Sequence, residues 1–143
     1  MAMANNRIFV DANFFVALFN PQDTLHKEAI AKSQTIRKEN PLLIISNYIF
    51  LEIVTVLSQR VNRKTAITLG KHLLEDKQVQ IVHIDKHLNN SAWEIFKEIE
   101  KKNVGFVDCS SLAVIEFEEI GKFLTFDQKD FAGLVKKYQF SFY

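Results

Sequence analysis

Four carboxylates set the chemical question in this chain: Asp11, Glu52, Asp108 and Asp127. Asp11 interrupts RIFVDANFFVALF (residues 7–19), where an apolar run rises to Val10 and resumes at Phe14. A bare charge between two buried segments costs several kcal/mol unless something neutralises it. Glu52 lies in NYIFLEIVTVLSQR, with Tyr48, Ile49 and Val56 three or four positions away on its own helix face. Taken singly, each acid has an ordinary reading. Asp11 and Asp108 can cap helices, Asp127 can open the turn DQKD, and Glu52 can be a solvated helix residue. Taken together, three or four carboxylates facing one pocket repel each other. They stay ionised only with a cation among them; otherwise their pKa values rise. His26, His72, His83 and His87 show no metal-ligand spacing, and Cys109 has no basic neighbour in sequence to activate it. All-oxygen ligation therefore favours a hard ion, Mg²⁺ or Mn²⁺, over zinc. Such an ion stabilises charge on phosphorus and lowers the pKa of a water nucleophile, which suits hydrolysis of a phosphodiester.

To bring these acids together the chain must fold as alternating strands and helices. Residues 7–11 read as a strand and 12–19 as a short helix stopped by Asn20-Pro21. A helix over 23–39, capped by Asp23 or Thr24, ends before Asn40-Pro41, because proline disfavours the helical state in the residue before it. The continuous apolar run LLIIS (42–46) suits a strand buried on both faces. Ser46 or Asn47 caps a helix over 48–60, and another follows over 63–76. Residues 79–84 read as a strand. Asp85 then caps a helix over 86–102, with Leu88, Trp93, Ile95, Phe96 and Ile99 as its apolar positions. A helix over 108–119, a strand over 122–126 and a short helix over 129–137 complete the series, and FSFY offers a fifth strand. The expectation is an α/β protein, a single-domain α/β/α sandwich over residues 1–143 with a central parallel sheet of four to five strands. Ligands collect at the carboxyl ends of such strands. Asp11 and Asp127 fall there, Ser46 closes the second strand, and Glu52 lies two turns into the next helix.

The totals agree with one domain and exclude little else. A chain of 143 residues at 48% hydrophobic fills an ordinary core. The single cysteine precludes an intramolecular disulfide and fits a reducing, cytoplasmic compartment. No apolar stretch approaches the ~20 residues that span a bilayer, and MAMANNR lacks the pattern of a secretory leader. Net charge is only +1. If four acids hold a cation, however, the remaining surface is net basic, which is compatible with a polyanionic substrate.

The ordered motifs carry a resemblance. FVDANFF resembles the opening strand and D-x-N motif of the PIN domain, a small nuclease fold, and in particular of the VapC-like toxins of toxin–antitoxin pairs. The spacing from Ser46 to Glu52 resembles the second motif. VDCSSLAVIEF resembles the helix that opens with the third acid, and LTFDQKDF resembles the T-x-D-x-x-D-F ending. The similarity spans residues 7 to 143. It implies that Asp11, Asp108 and Asp127 ligate the metal, with Glu52 binding directly or through a water and helping to orient the attacking water. It implies that Asn13 hydrogen-bonds within the site and that Thr125 braces Asp127. It further implies a first strand at the sheet's centre, Mg²⁺- or Mn²⁺-dependent hydrolysis of RNA leaving a 5′-phosphate, a homodimer, and a small antitoxin that blocks the acidic groove. Two positions depart from the pattern. Ala12 stands where many relatives carry Thr or Ser, and Cys109 where relatives often have a small residue.

Several further residues invite weighing. Arg60, Arg63 and Lys64 form a basic cluster that could contact a phosphate backbone or could be a solvated helix junction; Lys32, Arg37 and Lys38 are similar. Lys129, beside the fourth acid, is a better candidate for touching substrate. Asp130 reads as a helix cap. Phe14, Phe15 and Phe19 crowd two helical turns whose single face cannot hide all three. With the apolar face of the 48–60 helix, they point to a partner surface. The alternative function is a catalytically silent module of the same fold that binds RNA or protein. A phosphatase or receiver domain with an aspartyl nucleophile fits less well, because D-x-D is missing at Asp11-Ala12-Asn13 and no acidic pair precedes Asp85 on the first strand.

Overall fold

The computed structural model describes residues 6–143. The expectation of no secretory leader rests on a segment that begins outside those residues. Five parallel strands form the sheet: β1 (Arg7–Val10), β2 (Leu42–Ser46), β3 (Val79–Val82), β4 (Lys122–Leu124) and β5 (Ser141–Phe142). Their order is β3-β2-β1-β4-β5, which puts the first strand at the centre. This position explains its composition. Ile8, Phe9 and Val10 are all buried, as are Leu43, Ile44 and Ile45 of β2, because helices cover both faces of a parallel sheet. At the edge, β3 exposes Gln80.

Among the described residues, eight helices connect the strands: α1 (Ala12–Phe19), α2 (His26–Glu39), α3 (Asn47–Arg60), α4 (Arg63–Glu75), α5 (Lys86–Glu98), α6 (Phe106–Phe117), α7 (Gln128–Phe131) and α8 (Val135–Tyr138). Side-chain caps set several starts. Ser46 accepts the Ile49 N–H at 3.1 Å, Asn62 the Thr65 N–H at 2.7 Å, and Asp85 the Leu88 N–H at 2.9 Å. Asn40 ends α2 in the left-handed conformation (φ 52°), just before Pro41. Among the described residues, no helix is long and apolar enough to cross a membrane.

The structure corrects some boundaries. The second helix begins at His26, not 23, because Asp23 builds a turn ahead of it. Its side chain accepts the Leu25 N–H at 2.9 Å and its carbonyl the His26 N–H at 3.0 Å. The helix expected from 108 begins at Phe106, so Asp108 is its third residue and accepts the Gly105 N–H at 3.0 Å. β3 stops at Val82, where the next ladder position is diverted: the Ile84 N–H bonds Asn47 Oδ1 at 2.8 Å. β4 stops at Leu124, because Thr125 to Asp127 turn towards the site. The helix expected over 129–137 is two short helices joined by a 3-10 turn, Ala132–Leu134, in which Gly133 weakens helical continuity. Asp130 lies inside α7 and caps nothing.

The aromatic expectations are also revised. Phe14 and Phe15 are 2% and 5% exposed and Phe19 is half-buried, because α1 packs against both α2 and α3 and Phe14 also meets the Phe126 ring. They are core, not a partner surface. Conversely, Trp93 and Phe96 of α5 are 51% and 39% exposed and stack on each other, while Leu88, Ala92 and Ile95 face the core.

Candidate metal centre

β1 hands the chain to α1 at Asp11, whose extended backbone (φ −76°, ψ 156°) leaves its side chain as the helix N-cap. Asp11 is 6% exposed. Its Oδ1 accepts the Ala12 N–H at 2.8 Å, and its Oδ2 accepts the Thr125 hydroxyl at 2.8 Å. The same hydroxyl oxygen accepts the Asp127 N–H at 3.0 Å. Asn13 completes the junction. Its amide nitrogen is 3.2 Å from Asp127 Oδ2, 3.3 Å from Thr125 Oγ1 and 3.5 Å from Asp11 Oδ2, while its carbonyl oxygen accepts the Phe126 N–H at 3.1 Å. The ends of two neighbouring strands are thereby locked, with two carboxylates held at their tips.

Two further acids arrive from helices. Glu52 of α3 stands at an exposed rim, and Asp108 projects from the first turn of α6. Asp11, Asn13, Glu52, Asp108 and Asp127 line one cavity of about 270 Å³ at the carboxyl edge of the sheet. Their charges are felt mutually. Burial, chiefly, pushes the Asp11 carboxyl up to about 7; the Thr125 bond opposes this and the Asp108 and Glu52 charges add to it. Burial likewise raises Asp108 to about 6, against the Gly105 N–H and with the charges of Asp127, Glu52 and Asp130. Glu52 is raised by burial and by Asp127.

This donor set fits a hard divalent cation. The cavity lining offers carboxylates and an amide but no imidazole or thiol, and positive charge placed among the acids relieves the repulsion that raises their pKa values. Among the described residues, no three acidic, histidine or cysteine side chains are drawn close enough to be a ready-made ligand set. The acids meet around a cavity instead of a point, as suits an ion that keeps several waters.

The other candidates are placed less centrally. Ser46 is fully buried beneath α3 as its cap and does not reach the cavity. Arg60 lines the acid cavity, whereas Arg63 lines a separate groove between α3 and α4. Lys64 and Lys129 line neither. None of the four histidines reaches the site, and Cys109 is buried, its thiol pushed up to about 11 mainly by that burial. One residue was missed by the sequence reading. Asp23, assigned there only as a helix cap, lines the same cavity. Its signal was an acid in the loop after the first strand and helix, on the edge where the other acids gather.

Comparison with known proteins bears on the family and the fold. Residues 8–137 match the family model described as PIN domain. The 23S rRNA-specific endonuclease VapC20 of Mycobacterium tuberculosis is 29% identical over 120 residues, spanning 84% of this chain and 88% of its own. The crystal structure of M. tuberculosis VapC20, described as a sarcin–ricin loop cleaving toxin, matches with TM-score 0.76 at 27% identity over 88% of this chain and 94% of that one. A toxin–antitoxin complex from Klebsiella pneumoniae matches with TM-score 0.64 at 19% identity, over 89% and 92% of the two chains, and bears on the fold alone. The matched length, the five-stranded parallel sheet and the acids at its carboxyl edge agree: this chain belongs to the PIN domain family.

Proposed function

We propose that this chain is a Mg²⁺- or Mn²⁺-dependent endoribonuclease acting in the cytoplasm as the toxin of a toxin–antitoxin pair. The observation that carries the reading is the convergence of Asp11, Glu52, Asp108 and Asp127, from four separate stretches of chain, on one cavity. The VapC20 relatives, named for 23S rRNA and for cleavage of the sarcin–ricin loop, make a ribosomal RNA loop the first substrate to try. A small antitoxin that covers the acids, and a homodimeric toxin, belong to the same reading.

Asp11, Asp108 and Asp127 would hold the ion, with Glu52 joining directly or through a water. When bound, the ion supplies positive charge for the phosphoryl oxygens and for a water nucleophile. The chain's own residues do the rest. Thr125 and Asn13 fix the Asp11 and Asp127 carboxylates in orientation, so little reorganisation accompanies binding. Glu52 has no hydrogen-bond partner among the described residues and a raised pKa. Its carboxylate oxygen takes a proton from the water as that water's oxygen bonds to phosphorus. The P–O3′ bond breaks, solvent protonates the departing 3′-oxygen, and a 5′-phosphate and a 3′-hydroxyl remain.

Cleavage of total RNA with and without Mn²⁺ tests the reading. Asp11→Asn is expected to abolish Mn²⁺-stimulated cleavage while the circular dichroism spectrum is retained. Wild-type cleavage that persists in excess EDTA would overturn the metal mechanism.

A further inference from the structure

Arg60 is the last residue of α3 and, among the described residues, the only cation lining the acid cavity described above. Glu52, Val56 and Arg60 recur at four-residue steps along that helix, and all three line the cavity. The wall is therefore ordered: Glu52 at the acid end, Val56 next, and Arg60 about 12 Å of helix rise from Glu52. Despite facing a cavity of carboxylates, Arg60 pairs with none of them. The ion pairs among the described residues are Lys97–Glu94 and Lys137–Glu98. Among the described residues, Arg60 makes no hydrogen bond to the last carbonyls of its own helix either; the Leu57 carbonyl takes the Val61 N–H. Its planar fork of five N–H donors is left unspent at the mouth of the site.

We propose that Arg60 grips a backbone phosphate of the RNA next to the one being cut. This rests on the ribonuclease reading and adds the residue that orients the strand across the site. The chemistry is specific to a guanidinium, which matches a phosphate with two parallel hydrogen bonds where an ammonium offers a point charge. The placement also answers an electrostatic difficulty. A polyanion entering a cavity of acids is repelled wherever the bound cation does not reach, and Arg60 supplies positive charge at the far end. Two turns of helix separate it from Glu52, so a neighbouring phosphate is assigned to it and not the scissile one.

The test uses Arg60→Gln and Arg60→Lys. Steady-state cleavage is measured in the wild-type background. Binding of a short labelled RNA of mixed sequence is measured in the cleavage-inactive Asp11→Asn background across a salt series. Arg60→Gln is expected to raise KM about tenfold with kcat retained within about twofold. It should also reduce the slope of log affinity against log salt by ~0.7, the value for one lost single-strand phosphate contact. Arg60→Lys should restore the slope and part of the affinity, and Mn²⁺ affinity by calorimetry should be unchanged or tighter. Arg60→Gln with wild-type KM and slope overturns the proposal, and so does a change confined to Mn²⁺ affinity, which would make Arg60 a tuner of the acids. A wild-type protein that neither binds nor cleaves RNA overturns the ribonuclease reading along with this one. Wild-type cleavage with an unmoved slope overturns the role of Arg60 alone.

Discussion

Thr125 Oγ1 lies 2.8 Å from Asp11 Oδ2 and joins the ends of two adjacent parallel strands through residues just beyond them. The hydroxyl is fully buried and also accepts the Asp127 N–H at 3.0 Å, so one oxygen holds two of the four acids. Thr125→Val keeps the shape and removes the bond, leaving a buried carboxylate oxygen and a backbone N–H without their partner. The expected loss is about 1–3 kcal/mol of stability by urea melting. The Thr125 bond also holds the Asp11 pKa down. Without it the carboxyl is pushed further above about 7, and Mn²⁺ binding at neutral pH should weaken. Thr125→Ser should recover most of both effects. Wild-type melting and Mn²⁺ affinity in the Val variant would reduce Thr125 to a packing residue.

Asp11 makes metal-free stability depend on pH in a direction opposite to that of an ordinary salt-bridged aspartate. Burial pushes its carboxyl in the folded chain up to about 7, from an ordinary aspartate value of 3.8. Between those values the folded state holds a proton that the unfolded state has released. Ionisation therefore favours unfolding, and stability falls as pH rises from about 4 to about 7. At about 1.4 kcal/mol per unit, the cost above pH 7 is on the order of a few kcal/mol. A divalent cation should remove much of it. In EDTA the melting temperature should be lower at pH 8 than at pH 5, and Mn²⁺ should raise it more at pH 8. Asp11→Asn should weaken both dependences, leaving the smaller part carried by Asp108 and Glu52. A wild-type melting temperature in EDTA that is level across this window would contradict the burial of an ionisable Asp11.

Much of this site was legible because parallel sheets write their interior as continuous apolar runs. Phe9 and Val10 of β1, and Ile44 and Ile45 of β2, are buried as such runs require, which places Asp11 at a strand end from sequence alone. Other features depend on neighbours that no local pattern reveals. Phe14, Phe15 and Phe19 together exceed what one helix face can hide, yet α1 is covered on more than one side. Ser46, by contrast, was legible as a helix cap, and its hydroxyl accepts the Ile49 N–H. Asp23 reaches the cavity only because the turn from Asn20 brings it there: its N–H donates to the Asn20 carbonyl at 2.9 Å.

Asn13 shows how a neutral residue can organise charged ones. Its amide nitrogen stands 3.2 Å from Asp127 Oδ2, and its carbonyl oxygen takes the Phe126 N–H at 3.1 Å, so it both orients Asp127 and pins the loop that carries it. Asn13→Ala removes both contacts without adding charge. Because groups that orient ligands typically cost 10–100-fold when removed, Mn²⁺ affinity or kcat should fall by about that factor. The fold should persist, since Asp11 keeps its bonds to Ala12 and Thr125. Asn13→Asp is the sharper comparison. It preserves the acceptor for Phe126 but replaces a donor to Asp127 with a negative charge among acids already raised by one another. Metal-free Asn13→Asp should therefore melt below wild type at pH 8, with the gap narrowing when Mn²⁺ is added. Calorimetry and melting on the two variants separate the amide's two functions: loss in Ala alone assigns the effect to orientation, and additional loss in Asp without metal assigns it to charge.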